Sequence, residues 1–112
     1  ACTVLLGAQA VKSCKVSVSE ATAGAITTLE GLGTAEEPHP IQRAFIEEQA
    51  AQCGYCGNGM IIATAALLWK NPRPTDEQIR EALDGNLCRC GAHLRILRAV
   101  KRAADLLAAK GA

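Results

Sequence analysis

The sequence predicts an α+β fold, on three observations. The first third carries short β-prone runs broken by turn residues, and the remainder carries four helix-like segments. Four of the six cysteines fall in two close pairs at the turns between those segments. At 112 residues the chain fits one domain, or two very small ones sharing an interface. A core of that size is thin, so a metal centre joining separate segments would be in character.

Taken in order, Thr3-Val4-Leu5-Leu6 is the first strand candidate, and Gly7 to Ala10 can turn. Val11 to Val18 alternates, with Val11, Ser13, Lys15 and Ser17 set against Lys12, Cys14, Val16 and Val18, as a second strand would. Ile26-Thr27-Thr28-Leu29 is a third candidate. Gly31 to Pro38 reads as a polar, glycine-containing linker, which divides the chain into residues 1–33 and 34–112.

The first helical segment is expected from Pro40, suited to a first helical turn, to about Gln52. Ile41, Ala44 and Phe45 form its apolar stripe, with Glu47 and Glu48 outward. The second, from about Asn58 to Lys70, is apolar nearly all round, as a central helix should be, and Asn71-Pro72 stops it. The third begins at Thr75, whose hydroxyl can cap while Gln78 reaches back, and runs to about Leu83 before Gly85. The fourth, from about His93 to Lys110, sets Ile96, Leu97, Val100, Ala104 and Leu107 on one face.

Twelve Lys and Arg against eleven Asp and Glu leave a net charge of +1, which gives no electrostatic case for nucleic acid or an anionic membrane. The longest apolar run, Met60 to Trp69, is far short of a transmembrane segment, and no signal peptide is visible. Six cysteines in 112 residues fall below the roughly 8–10% of a disulfide scaffold, and a disulfide across Arg89 alone would be badly strained. The cysteines therefore read as ligands in a reducing compartment, which points to the cytoplasm and leaves periplasmic and membrane-peripheral placement open.

Cys53 and Cys56 sit between the first and second helical segments, Cys88 and Cys90 between the third and fourth. Two helix hairpins would bring both turns to one end of a bundle. Four thiolates in two pairs suit a 2Fe–2S cluster, with each pair on one iron. The second and fourth helices start just past Cys56 and Cys90, so their N-termini would aim N–H groups and positive dipole ends at an anionic centre. A structural zinc in a metal-stapled interaction module is the alternative, but its paired ligands usually leave two to four residues between them, and Cys88-Arg89-Cys90 leaves one. Cys53-Gly54-Tyr55-Cys56 also has the spacing of a thioredoxin-like redox pair, but it follows a helical run and would leave Cys88 and Cys90 unemployed. His39, between two prolines, reads as a loop residue or helix cap, His93 as surface or interface, and Trp69 as a packing residue.

The run Phe45-Ile46-Glu47-Glu48-Gln49-Ala50-Ala51-Gln52-Cys53-Gly54-Tyr55-Cys56, then Asn71-Pro72, Pro74-Thr75 and Gly85-Asn86-Leu87-Cys88-Arg89-Cys90, resembles the small iron–sulfur subunit of molybdenum hydroxylases. These are the xanthine dehydrogenases, aldehyde oxidoreductases and bacterial N-heterocycle dehydrogenases. Ala1-Cys2-Thr3-Val4 and Ser13-Cys14 resemble the N-terminal ferredoxin half of that subunit.

The resemblance implies that residues 1–33 are part of a plant-type ferredoxin β-grasp and residues 34–112 a four-helix 2Fe–2S domain. It implies electron transfer by this chain, with substrate chemistry left to a large molybdopterin subunit. That subunit would hydroxylate a carbon with water and pass on two electrons, one at a time. Gln52 matches a residue that approaches the pterin, and an FAD subunit or a cytochrome would take the electrons. Cys2 and Cys14 match the third and fourth ligands of a second 2Fe–2S cluster, and the resemblance leads one to expect the other two ligands upstream of Ala1. The chain departs from the family's usual pattern at Gly57-Asn58-Gly59, where Thr-Pro-Gly or Ser-Gly is common. Its Cys90-Gly91-Ala92-His93 form looks like a subgroup acting on aromatic N-heterocycles.

Overall fold

The computed structural model describes residues 3–22, 24–34, 36–50, 56–83 and 93–109. Strands β1 (Thr3–Leu6), β2 (Gln9–Lys12) and β3 (Ile26–Thr27) form an antiparallel sheet in the order β2-β1-β3. Gly7 turns the β1–β2 hairpin at φ +62°, a left-handed conformation that glycine adopts without a Cβ penalty. Thr3 and Leu5 of β1 point inward, and Leu5 joins the same apolar core as the helices.

The alternation of Val11 to Val18 does not give a long strand. Pairing ends at Lys12, a 3-10 turn covers Ser13–Lys15, and the short helix α1 (Val18–Ala21) follows. Ser17 explains the change: its Oγ accepts from the Glu20 N–H at 3.3 Å and donates to Glu20 Oε1 at 2.9 Å. Ser17-x-x-Glu20 is a helix-start signal that outweighs a weak period-two pattern with no buried face. The third candidate strand is likewise shorter than expected, because Leu29 already begins α2 (Leu29–Leu32), which also takes in Gly31 and Leu32 of the expected linker.

Four longer helices follow: α3 (Pro40–Glu47), α4 (Gly57–Lys70), α5 (Asp76–Leu83) and α6 (His93–Ala109). His39 caps α3, its Nδ1 accepting from the Ile41 N–H at 3.1 Å. Gln42 Oε1 accepts from the His39 N–H at 2.9 Å, and Gln42 Nε2 donates to the Leu29 carbonyl at 3.1 Å, tying α2 to the start of α3. Gly33 lies directly under this knot: a side chain there would run into the His39 nitrogen, Gln42 Oε1 and the Glu37 carbonyl.

Helix α4 buries residues on every side, including Met60, Ile62, Ala63, Ala65 and Leu68. Its one buried hydroxyl, Thr64, donates to the Met60 carbonyl at 2.7 Å. The helix ends at Asn71, extended before Pro72. Gln78 Oε1 accepts from both Asn71 Nδ2 (2.8 Å) and the Thr75 N–H (2.9 Å), while Thr75 Oγ1 accepts from the Gln78 N–H, completing the expected capping box. Helix α6 packs Ile96, Ala99, Val100, Ala103 and Ala104 into the core. Arg102 crosses from it to Glu48 (2.7 Å) and Glu47 (3.3 Å) at the end of α3, and these carboxylates raise its pKa above the ordinary value.

Lys101 of α6 pairs with Asp76 of α5 at 2.7 Å. That hydrogen bond is the main cause holding the Asp76 carboxyl below its ordinary 3.8; desolvation opposes it, and the charges of Lys101 and Arg80 reinforce it. A depressed carboxylate pKa contributes stability that is present above the ordinary value and disappears as pH falls through the folded one.

Two outcomes follow from these contacts. Gly33→Ala is expected to destabilise the protein by about 1–3 kcal/mol, the usual cost of overpacking, read as a lower urea midpoint at unchanged m value. Asp76→Asn is expected to be less stable than the parent at neutral pH, with the gap closing as pH falls below about 4 in a pH series of melts.

Candidate iron–sulfur site

Helix α3 does not reach Gln52. It stops at Glu47, and Gln49 takes φ +52°, with its N–H donating to the Ile46 carbonyl (3.1 Å) and the Ala50 N–H to the Phe45 carbonyl (3.0 Å). That pair of bonds is a Schellman termination, here with glutamine in the left-handed position where glycine is usual. Ala50 is buried with Phe45 in the core, so the apolar contact that accompanies this motif is present and the chain leaves the helix at a fixed point.

The chain re-enters helix at Cys56, which is half-buried at the N-cap of α4; its carbonyl accepts the first ladder bond, from the Met60 N–H at 3.0 Å. The N–H groups of Gly57, Asn58 and Gly59 precede that ladder, at the positive end of a 14-residue helix. Among the described residues nothing lies within 4 Å of where a Cβ would stand on Gly57.

The two helix starts that follow the cysteine pairs lie at one end of the helical part. Gly57 and Ile61 of α4 and Arg95 in the first turn of α6 line the same cavity of about 770 Å³, together with Gln49 and Ala50 at the end of α3. Glu30, Gly33, Thr34 and Gln42 also line it. Ile46 on α3 and Leu94 on α6 are 69% and 72% exposed, which leaves apolar surface on these two helices.

Of the sequence-predicted residues, Cys56 stands at this end, and Cys14 is exposed in the 3-10 turn after β2. Cys2, Gln52, Cys53, Cys88 and Cys90 lie outside the described residues, as do Tyr55 and Arg89. Among the described residues no three His, Cys, Asp or Glu side chains cluster as a metal site. A thiolate-bound cluster nonetheless suits what is described: an anion would meet the N-terminal N–H groups of α4, and Arg95 lines the cavity that Gly57 also lines. His39 is a cap, as expected. Trp69 does not pack fully; it is 49% exposed and lines a second cavity of about 290 Å³ with Leu68, Pro72 and Leu107. Sequence reasoning missed Arg95 and Gln49 as residues of this region. Arg95 had only its place in the first turn of a helix to mark it, and Gln49 had no signal.

A cysteine at the N-cap position of α4, with the first turns of α4 and α6 on one cavity, is the arrangement an anionic metal centre would suit. Residues 28–101 match the model of the 2Fe–2S binding domain family, and the chain belongs to that family. It is 59% identical over 105 residues to one of the subunits of nicotinate dehydrogenase from Pseudomonas putida, covering 94% of this chain and 67% of that protein. With the alpha chain of isoquinoline 1-oxidoreductase from Brevundimonas diminuta it shares 52% identity, covering 93% and 68%. Its fold overlays the aldehyde oxidoreductase of Desulfovibrio gigas with a TM-score of 0.91 at 36% identity, over 97% of this chain and 12% of that one. Quinoline 2-oxidoreductase of Pseudomonas putida 86 gives 0.86 at 33% identity, over 96% and 68%. The chain spans about two thirds of the length of these nicotinate and isoquinoline relatives. The α+β fold and the iron–sulfur subunit read from the sequence are borne out.

Proposed function

We propose that this chain relays electrons for a molybdenum-dependent hydroxylase whose substrate site lies in a large molybdopterin subunit. Cys53, Cys56, Cys88 and Cys90 hold one 2Fe–2S cluster, within a helical domain of residues 34–112. Cys2 and Cys14, in the ferredoxin-type portion of residues 1–33, supply two ligands of a second. When bound, such a cluster accepts and releases one electron at a time. The observation that carries the reading is the place of Cys56 at the N-cap position of α4, whose first residue, Gly57, lines one cavity with Arg95 from the first turn of α6.

The chain's own residues then have defined tasks. The thiolates fix the cluster, and the N–H groups of Gly57, Asn58 and Gly59 favour the more negative, reduced state. Gln52, next to the first ligand, faces the pterin of the large subunit, and exposed Ile46 and Leu94 are covered by that subunit. An FAD subunit or a cytochrome takes the electrons onward. The names of the nicotinate, isoquinoline and quinoline relatives support an aromatic N-heterocycle as the substrate class of the complex. No helix among the described residues is long and apolar enough to cross a membrane.

Purified with its partners, the subunit is expected to be red-brown, with visible absorption that bleaches on adding dithionite and a large subunit that co-purifies. A colourless preparation holding zinc would overturn the reading in favour of a metal-stapled interaction module. Replacing Cys56 by Ser is expected to abolish the paramagnetic signal of one cluster and to lower the melting temperature of the subunit, since the metal links two otherwise separate turns. Retention of both cluster signals in that variant would remove Cys56 from the ligand set.

A further inference from the structure

Asn58 stands at the second position of α4, two residues past Cys56, and its side chain leaves the helix for the sheet. Its Nδ2 donates to the Thr3 carbonyl at 3.3 Å, across 55 positions of sequence. Thr3 is buried in the central strand and follows Cys2 in the chain. Its partner in the β1–β2 register is Lys12, and the 3-10 turn that begins one residue later carries Cys14. The end of the ladder that Asn58 grips is therefore the end from which both N-terminal cysteine segments depart.

We propose that Asn58 is a positioning residue that holds the two cluster-bearing segments at a fixed separation and links them by one hydrogen bond. This rests on the assignment of Cys2 and Cys14 to a second cluster. From Cys56 the link runs through the backbone of Gly57 to Asn58, across Nδ2–H to the Thr3 carbonyl, and back one residue to Cys2. An electron passing between the clusters oxidises one and reduces the other, with no atom or proton transferred, so only separation, intervening bonds and relative potential govern its rate. Asparagine suits the place because its amide donates to a carbonyl without adding charge beside two anionic centres. A short side chain at the second helical position also holds the distance more rigidly than a longer one.

The test uses the native full-length subunit in its complex, with Asn58→Ala and Asn58→Gln variants. Iron content and the paramagnetic signal of each cluster are measured first. The parent is expected to hold about four irons per chain, as two clusters require. About two irons in the parent, with a single cluster signal, would show that Cys2 and Cys14 bind no cluster, and would sink this inference together with the assignment beneath it. With both clusters present, Asn58→Ala is expected to keep its iron but lose much of the magnetic splitting between the reduced clusters. Electron equilibration between them after flash reduction is expected to slow severalfold. Asn58→Gln, which retains the donor, is expected to recover part of both. If Asn58→Ala melts earlier but shows unchanged splitting and equilibration, Asn58 is a structural hydrogen bond only and the proposal is wrong.

Discussion

Helix α4 has buried side chains on every side, so each of its faces must be covered by another element. Met60, Ile62 and Leu68 each contribute about 1.5–3 kcal/mol on burial, and no single neighbour can bury them all. The sheet, α3, α5 and α6 all pack against α4. The direction of that helix consequently decides where its first residue lies. Cys56 is that boundary residue, so the position of a proposed ligand is set by apolar packing along four turns and not by the loop that holds it.

The ends of the helices receive as much specification as their faces. Helix α3 ends on a Schellman pair of hydrogen bonds, and Asn71, Thr75 and Gln78 join the end of α4 to the start of α5. Fixed ends matter because the two cysteine pairs lie in sequence between α3 and α4 and between α5 and α6. By contrast, the ion pairs are largely at the surface: Arg73, in the turn between α4 and α5, and Asp105 of α6 are 2.8 Å apart and 66% and 74% accessible. Pairs of that kind are worth about 0–1 kcal/mol each, so they trim helix orientation and do not create it.

The four helices were legible in the sequence because their signals are strong and local. The apolar run of α4, the proline stop after Asn71 and the Thr75-x-x-Gln78 box each act within a few residues. The cysteine spacing is a local signal of the same kind, and it is what suggests paired thiolate ligands. What was not legible depends on contacts distant in sequence or on rare residue choices. Gln49 in a left-handed conformation has no sequence mark, since glycine or asparagine is the expected residue there. The closeness of Gly33 to His39 and Gln42 appears only after α2 and α3 have docked. Val11 to Val18 misled because alternation without burial is weak, and β2 has no fully buried residue to hold a register.

The sheet is the dependent partner in this fold. Its described strands have four, four and two residues, too few for a three-stranded sheet to stand alone in water. What holds it is Leu5, fully buried in the helical core, and the Asn58 side chain on the carbonyl of Thr3. Both anchors lie on the central strand, which pairs with β2 and β3, while β2 also packs directly on α4 and β3 on α2. Loosening of α4 would therefore be felt by the sheet, whereas loss of β3 would leave the helical core intact. If the second cluster rests on this sheet, its placement is inherited from the same apolar helix that positions Cys56. One packed element then sets the placement of β1 and of Cys56 alike.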